Sequence, residues 1–380
     1  MKHIMKSLLC LLTFSLFFFS SANAQSNPPF AAYNEKAVYV KNNILYYKNI
    51  KTGKTVKIAN VEISTLYDLK VFSDGIYWVG SVDEDNDVQM FSYNFATKKI
   101  TSLFNLKDIG PLEKVSKIES VYIRSNRFLT YYLKPVVKGS SLTEDTPTVR
   151  KMYDLKTKIS YGPHDYKVEE GKFLLLKDTF DIFQPSDKSY EYAESSLDFT
   201  SYFLGNNRLL ANARFENKNG GLDTYEYRVV NFPNGPTTAL VNPIDDDNII
   251  PDQTVDAPYS KRYIIFGKQG QTEAGWETIL HRFDSNTGNI VQKLFHSTYN
   301  PDNHDPKNFT EPIAYTGSHL LISHYEKGKG IFYYYNVETN KKCQLNFFEK
   351  NLSAPLVLTD TYFYSFVNGN LKARKIVCKK

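Results

Sequence analysis

A short motif recurs along this chain and constrains its fold more than any other feature. In each copy an apolar strand ends in Asn or Asp, a short turn that usually contains Thr follows, and a second strand begins. The clearest copies start at Asn49, Asn94, Asp154, Asp284 and Asn336, and weaker ones lie at 184–187 and 231–235. Asn, Asp and Gly tolerate the positive φ of tight turns, and Asx side chains cap the backbone there. The motif therefore predicts a series of β-hairpins.

A second hairpin precedes each copy of this motif. It consists of a strand, a small polar turn and another apolar strand, as at 70–78 and 259–266. Further copies lie at 32–39, 122–129, 168–175, 203–210, 315–322 and 358–364. Together the two hairpins recur at roughly 35 to 57 residues, near the length of a four-stranded propeller blade. We therefore predict an all-β fold, a β-propeller with four-stranded antiparallel blades.

The number of repeat units predicts eight blades, with seven as the alternative. The last unit, at 355–378, lacks a clear fourth strand. Either residues 29–34 supply that strand and close the ring, or the two terminal fragments merge into one of seven blades. Both arrangements would remove an exposed sheet edge. An incomplete ring and a pair of sandwiched sheets are the remaining alternatives.

The two hairpin turns resemble those of the broad TolB-like and YVTN-like group of β-propellers. Blades of that group carry an S-P-D-G-K-type turn between their first two strands and a D-x-x-T-G-K-type turn between their last two. Residues 73–75 (Ser-Asp-Gly) and 260–262 (Ser-Lys-Arg) match the first turn, and residues 49–54 and 284–288 match the second. The Pro of the first turn is missing almost throughout. The resemblance covers nearly all of the chain after its N-terminal segment and implies an architecture, without a function.

The first 24 residues have the layout of a secretory signal peptide. Two lysines precede an apolar run at 8–19, and Ala22 and Ala24 supply the small residues of a cleavage site. The run is shorter than the roughly 20 residues that cross a bilayer as a helix, although an N-terminal membrane anchor is the alternative. We predict cleavage after Ala24, a single propeller domain over 25–380, no membrane span after cleavage, and a periplasmic or secreted protein.

Charge and motif content exclude several classes of function. The formal net charge is +5, and removal of Lys2 and Lys6 leaves +3 (5 − 2). A charge this small and evenly spread does not predict binding to nucleic acid or to an anionic membrane surface. The sequence contains no nucleophile elbow, no phosphate-cradling glycine loop and no metal-ligand helix, which argues against common hydrolases and nucleotide enzymes.

Two cysteines remain outside the N-terminal segment, Cys343 and Cys378. In an oxidising compartment, one disulfide between them would tie the C-terminal strand to its neighbouring blade. Two buried free thiols are the alternative, and the sequence leaves both open.

The up-and-down order of strands predicts two different faces. The turn face holds the uniform turns that follow Asn49, Asn94, Asp154, Asp284 and Asn336, because first-to-second and third-to-fourth strand turns emerge on one side. The insertion face, on the other side, receives irregular polar insertions at 83–87, 134–148, 163–165, 216–223, 245–248, 267–276 and 301–306. Function usually resides in variable loops on a rigid scaffold, so we expect it on the insertion face; solvated loop tips are the alternative.

One insertion has the alternating acids of a calcium loop, Asp83, Asp85 and Asp87. Calcium loops supply oxygen ligands at alternate positions. The Gly expected after the third acid is Val88, and no acid follows at the far end of the loop. An acidic hairpin tip is the alternative, and we predict no cofactor, with calcium as the one metal that this pattern allows.

Histidines on the insertion face are the candidates for catalysis. Strand order places four of them there: His164, His296, His304 and His324. His164 and His304 are followed by Asp165 and Asp305, and such a carboxylate is able to orient an imidazole for metal binding or base catalysis. These two blades lie about three apart, so the side chains would have to meet in the central channel. Hydrogen-bonded loop histidines are the alternative.

Trp276 is the candidate for binding, because a Trp in a polar insertion suits stacking against a sugar ring or a peptide aromatic. We therefore expect an exported propeller that binds an envelope or extracellular protein or a glycan through its insertion face, and the lack of a reaction motif favours a binding protein over an enzyme without deciding between them. Two alternatives remain. One is an extracellular polysaccharide-active enzyme with His and Asp residues at the channel mouth, and the other is a structural component of an envelope complex.

Overall fold

The protein consists mainly of antiparallel β-strands. The computed structural model describes residues 29–81, 87–114, 116–135, 148–161, 166–169, 172–175, 190–192, 198–205, 208–220, 224–231, 237–240, 262–272, 275–299, 308–316, 319–326, 329–345, 356–367 and 370–379. Within these ranges the one α-helix is Pro111–Lys114, and two short 3-10 turns lie at Ile63–Thr65 and Leu106–Asp108. No helix among them has the length and apolar character needed to span a bilayer.

The first three sheets have four strands each, paired in chain order. Sheet 1 contains β1 (Phe30–Tyr33), β2 (Lys36–Lys41), β3 (Ile44–Asn49) and β4 (Thr55–Asn60). Sheet 2 contains β5 (Leu66–Val71), β6 (Gly75–Ser81), β7 (Val88–Asn94) and β8 (Ile100–Asn105). Sheet 3 contains β9 (Ser116–Ile123), β10 (Phe128–Pro135), β11 (Val149–Asp154) and β12 (Ile159–Tyr161).

Five further sheets follow along the described chain. Sheet 4 contains β13 (Tyr166–Glu169) and β14 (Lys172–Leu175). Sheet 5 contains β15 (Tyr190–Tyr192), β16 (Asp198–Gly205), β17 (Arg208–Asn217), β18 (Thr224–Asn231) and β19 (Thr237–Ala239). Sheet 6 contains β20 (Tyr263–Thr272), β21 (Gly275–Asp284) and β22 (Ile290–Tyr299). Sheet 7 contains β23 (Asn308–Thr316), β24 (His319–Glu326), β25 (Lys329–Asn336) and β26 (Lys341–Gln344), and sheet 8 contains β27 (Leu356–Leu358), β28 (Tyr362–Val367) and β29 (Asn370–Lys375).

The arrangement of these sheets confirms the prediction of an all-β propeller. The predicted first hairpins are the pairs β1–β2, β5–β6, β9–β10, β13–β14, β16–β17, β23–β24 and β27–β28. The predicted hairpin at 259–266 lies partly outside the described residues. One predicted unit is divided between two sheets, because β15, which follows the predicted turn at 184–187, pairs with β17 of sheet 5. Neighbouring sheets pack face to face. Val38 and Trp78 belong to a buried cluster between sheets 1 and 2, and Val79 and Leu129 to one between sheets 2 and 3. The first strands of adjacent sheets contact one another, as β1 with β5, β5 with β9 and β23 with β27.

The way the two termini meet corrects one prediction. In one of the two closures that the sequence left open, residues 29–34 complete the last unit, but Phe30 pairs with Tyr39 and Tyr33 with Lys36 inside sheet 1. The turn at Asn34, which has a φ of 49°, makes this local hairpin available without a distant partner. Sheet 8 instead packs against sheet 1. The strands β1 and β27 are in contact, the Phe30 and Phe366 rings lie 5.0 Å apart, and the Tyr364 hydroxyl donates to the Asn34 carbonyl.

The predicted Asx turns share one conformation. The fourth residue after each Asx is left-handed, with φ values of 72° at Gly53, 60° at Lys98, 62° at Lys158, 74° at Gly288 and 57° at Asn340. The Asx side-chain oxygen accepts a backbone N–H two or three residues later, at 2.8–3.4 Å. The turn chemistry predicted from the repeat is therefore confirmed in these five copies.

Candidate functional site

Long strands in sheets 5 to 7 raise part of the insertion face. In six of the sheets, the pair of residues that closes the second and third strands on the turn face occupies an equivalent position. These pairs are Lys36 with Asn49, Gly75 with Asn94, Phe128 with Asp154, Arg208 with Asn231, Tyr263 with Asp284, and His319 with Asn336. Differences in strand length therefore appear on the insertion face. The strands β2 and β3 have 6 residues each, whereas β20 and β21 have 10 each. At about 3.3 Å per residue, four more residues extend the β20–β21 hairpin by about 13 Å.

Trp276 lies at the end of this extended hairpin. It pairs with Gln271 on β20, one residue from the last pair, Thr272 with Gly275. On its other side it pairs with Tyr299, the last residue of β22. The candidate binding residue therefore stands at the most extended part of sheet 6, with a second aromatic residue directly across the strand pair.

The histidine candidates are only partly within the described residues. His296 lies on β22, paired with Ile279, on the same raised sheet as Trp276. His164, Asp165, His304 and Asp305 lie outside the described residues, as do Asp83 and Asp85. The convergence that catalysis would require stays a prediction.

Asp87 is the one acid of the predicted calcium loop that the structure describes. Its carboxylate accepts hydrogen bonds from the Asn105 side chain and, at 3.4 Å, from that of Gln89. The Asn105 side-chain oxygen in turn accepts the backbone N–H of Lys107 at 2.9 Å. Asp87 therefore joins the start of β7 to the end of β8. Among the described residues, no group of three His, Cys, Asp or Glu side chains is placed to hold a metal, and calcium stays a prediction.

The turn face contains Arg–Asp pairs that sequence reasoning missed. Arg127, just before β10, donates to both carboxylate oxygens of Asp154 at 2.9 and 2.6 Å. Arg262, just before β20, donates to Asp284 at 3.0 and 2.6 Å. The hydrogen bonds from Arg262 hold the pKa of Asp284 below its usual value. In Asp154, burial raises the pKa, but the hydrogen bonds from Arg127 and the turn outweigh it and the net pKa is lowered.

The sequence does carry a signal for these pairs. Among the described repeats, Asp replaces Asn at the turn in the two sheets where Arg precedes the second strand. Where the turn residue is Asn, the equivalent position holds Glu35, Asp74, Asn207 or Ser318. A comparison of the two turns within each unit, in place of each turn alone, would have found this correlation.

Polar contacts also join adjacent sheets across the turn face. Arg208 of sheet 5 donates to the backbone oxygen and the hydroxyl of Ser285 in sheet 6, both at 2.7 Å. Glu338 of sheet 7 accepts the backbone N–H groups of Arg262 and Tyr263, at 3.3 and 3.2 Å. Asn126 of sheet 3 donates to Asp74 of sheet 2 at 3.2 Å. Polar groups of these turns therefore form hydrogen bonds that hold adjacent sheets together.

His319 forms a similar joint between sheets 7 and 8. Its ring is 4% exposed, with Nδ1 2.6 Å from the Tyr334 hydroxyl and Nε2 3.1 Å from Asp360. Burial raises the pKa of Tyr334 to about 12, so this hydroxyl keeps its proton at neutral pH. Both imidazole nitrogens are engaged by protein groups, which suits a joint between sheets better than ligand binding.

A buried ion pair lies between sheets 2 and 3. Glu113, 0% exposed, accepts from Lys151 at 2.6 Å and from the Tyr131 hydroxyl at 2.7 Å. Tyr131 also shares a hydrogen bond of 2.8 Å with Ser160, and burial raises the Tyr131 pKa well above its usual value. Among the described residues, none donates a hydrogen bond to the second oxygen of Glu113. Because Glu113 belongs to the short helix after β8, the cluster fixes that connection onto sheet 3.

The two cysteines are joined by a disulfide. Cys343 lies on β26 and Cys378 follows β29, with their Cα atoms 5.4 Å apart. The backbone of Cys378 also pairs with Leu345 as an isolated bridge.

Comparison with known proteins supplies only a likeness of fold. No protein-family model matches the chain, and no curated protein matches it at a significant level. It is similar to the β-propeller domain of the Trilobed protease from Pyrococcus furiosus, with 8% identity over 88% of this chain and 87% of that chain and a TM-score of 0.41. It is also similar to Kluyveromyces lactis Hsv2, with 10% identity over 89% of this chain and 88% of that chain and a TM-score of 0.37. The putative TolB from Agrobacterium tumefaciens is similar with 10% identity over 71% of this chain and 82% of that chain and a TM-score of 0.33.

Proposed function

We propose that this chain is an exported β-propeller that binds a protein or glycan partner through its insertion face, with Trp276 in the contact. The observation that carries this proposal is the place of Trp276 at the end of the extended β20–β21 hairpin, across from Tyr299. Aromatic residues dominate the energetics of many binding surfaces because they combine a large apolar area with few rotatable bonds.

The distribution of polar contacts supports the choice of face. Arg208, Arg262 and Glu338 on the turn face donate or accept in contacts between or within sheets. Differences in strand length appear on the opposite side, the insertion face. Variable loops on a rigid scaffold are where binding residues usually lie.

Two features support export. The first 24 residues have the charged, apolar and small-residue regions of a signal peptide. The disulfide between Cys343 and Cys378 suits an oxidising compartment, because cytosolic thiols are kept reduced. Sequencing the N-terminus of the protein recovered outside the cytoplasm tests this: we expect Gln25 as its first residue, and an intact Met1 would contradict it.

A binding experiment tests the role of Trp276. Residues 25–380 would be screened against immobilised polysaccharides and purified envelope proteins of the source organism. For any ligand found, we expect Trp276→Ala to weaken binding roughly 30-fold, the effect of losing an aromatic hot spot of about 2 kcal/mol. Tyr122→Ala is the matched control, because it removes an exposed aromatic side chain from sheet 3. Equal affinities of the Trp276→Ala variant and the wild type would refute the proposal.

Tryptophan fluorescence gives a second measurement on the same site. The chain contains 2 Trp residues, and Trp78 is buried in the core. In a Trp78→Phe variant, all Trp emission comes from Trp276. We expect this emission to be quenched by acrylamide in the free protein and to be shielded when the ligand is added. Emission that is insensitive to both additions would contradict an exposed contact residue.

A further inference from the structure

The last sheet ends in a strand whose outer side has no neighbour among the described strands. In the other sheets with a described third and fourth strand, the two are paired: β3–β4, β7–β8, β11–β12, β18–β19, β21–β22 and β25–β26. Within the described residues, β29 pairs with β28 alone. A strand in this position presents backbone N–H and C=O groups that another strand is able to use.

The chain that follows β29 is held away from this edge. The N–H of Ile376 donates to the Thr361 carbonyl at 2.8 Å, and the N–H of Lys379 donates to the Gln344 carbonyl at 2.7 Å. The disulfide from Cys378 to Cys343 fixes the same segment to β26 of sheet 7. Residues 376–379 therefore cannot turn back along β29 while these bonds are intact, and no other described strand pairs with the outer side of β29.

The surface around this edge is positively charged. The segments 341–345, 362–367 and 370–379 contain six Lys or Arg residues, two in the first and four in the last, and no Asp or Glu. Exposed lysines among them are Lys341, Lys342, Lys372, Lys375 and Lys379. Elsewhere in the chain Lys and Arg balance Asp and Glu, 40 (46 − 6) against 41, so this patch stands out from the rest.

We propose that the outer edge of β29 accepts an extended acidic segment of a partner protein as an additional strand. The backbone of the segment would hydrogen-bond to β29, and its carboxylates would lie across from Lys372 and Lys375, where opposite charges stabilise a strand pair. The same lysines disfavour a second copy of this chain, because like charges would then face each other across the pair. This edge belongs to sheet 8 and is independent of the contact proposed for Trp276.

A peptide-binding experiment tests the proposal. The probe is a fluorescein-labelled, end-capped nine-residue peptide of repeated Glu-Glu-Val, which carries glutamates on both faces of the added strand because Lys372 and Lys375 point to opposite faces. It is titrated into residues 25–380 with the disulfide intact. We expect it to bind, and we expect hydrogen–deuterium exchange to slow at 370–375. The double variant Lys372→Glu, Lys375→Glu should weaken binding roughly tenfold or more, because two attractive cross-strand pairs become repulsive. Lys51→Glu, Lys54→Glu is the matched control on an exposed turn of sheet 1 and should change affinity less than about twofold.

A modified peptide separates strand addition from simple charge attraction. Methylation of every backbone nitrogen removes the N–H donors of both peptide edges and keeps every charge. We expect this peptide not to bind. If the methylated peptide binds as well as the parent peptide, the proposal is overturned in favour of charge attraction alone. Displacement of the parent peptide by dextran sulfate at equal charge would overturn it in the same way. Unchanged affinity of the Lys372→Glu, Lys375→Glu variant would also overturn it.

Discussion

Gly53 and Gly288 occupy the same position in two copies of the repeated turn, and replacing each by Ala should have very different effects. Both are left-handed, with φ values of 72° and 74°. An Ala in this conformation costs about 1 kcal/mol relative to Gly. At Gly53 a Cβ atom would have nothing within 4 Å. At Gly288 it would lie 2.0 Å from the carbonyl oxygen of Ala239, at the end of β19 in sheet 5.

This contact sets the expected difference. The obstructing atom is backbone, so relief requires sheets 5 and 6 to separate locally, and overpacking of this kind costs about 1–3 kcal/mol. We therefore expect a loss of about 1 kcal/mol for Gly53→Ala and about 3 kcal/mol for Gly288→Ala. For about 350 residues the unfolding entropy is about 0.7 kcal/mol per kelvin, which gives Tm losses of about 1–2 °C and about 4 °C.

Thermal unfolding of both variants and the wild type is followed by circular dichroism at about 220 nm, a wavelength that reports β-sheet content. The effect of Ala on the unfolded chain is the same at both positions and cancels in the comparison. Equal Tm losses for the two variants would refute the close approach of the Gly288 turn to β19.

Three further predictions concern the turns and the disulfide. Lys98→Gly should raise the Tm by about 1 °C, because Lys98 is left-handed with a φ of 60°, whereas Lys98→Ala should not raise it. Asp154→Asn keeps the turn acceptor but removes the charge paired with Arg127. The folded-state pKa of Asp154 lies below its usual value, so the carboxylate stabilises the fold above about pH 4. This stabilisation is lost as the pH falls through the folded-state pKa. The Tm difference between wild type and Asp154→Asn should therefore shrink below about pH 4, and a difference independent of pH would contradict the pairing. Reduction of the bridge between Cys343 and Cys378, 35 residues apart, should cost about 4 kcal/mol, measured by thermal unfolding with and without a phosphine reductant; no change in Tm on complete reduction would contradict it.

Local turn chemistry was predictable because its causes lie within a few residues. Asn94, for example, accepts N–H groups from Ala96 and Thr97, so the residue type alone indicates the turn. The same holds for the hairpins, whose strands are separated by short polar turns. Propeller architecture then followed from the repetition of these units.

Contacts between distant residues were not predictable in the same way. Glu113 meets Lys151 across 38 positions (151 − 113), and nothing near Glu113 in the sequence indicates a partner. His319 was not among the predicted site residues, and its contact with Asp360 depends on how sheets 7 and 8 pack. Closure by residues 29–34, one of the two arrangements that the sequence left open, is not what the structure has, because a four-residue strand followed by a tight turn at Asn34 finds its partner locally. In each case the deciding interaction depends on tertiary packing.

The pairing of β1 within sheet 1 has a consequence for how the protein is made. Since β1 to β4 are consecutive, sheet 1 has all its strands once Asn60 has left the ribosome or a translocation channel. A propeller whose first strand completes its last blade would carry an unpaired strand until synthesis ended, exposed to aggregation during that time. Here each of the first three sheets is built from its own stretch of chain in order of emergence. For these three sheets, vectorial folding from the N-terminus is able to proceed sheet by sheet, whereas the contact of sheet 8 with sheet 1 and the disulfide to sheet 7 form only when the C-terminal strands have emerged.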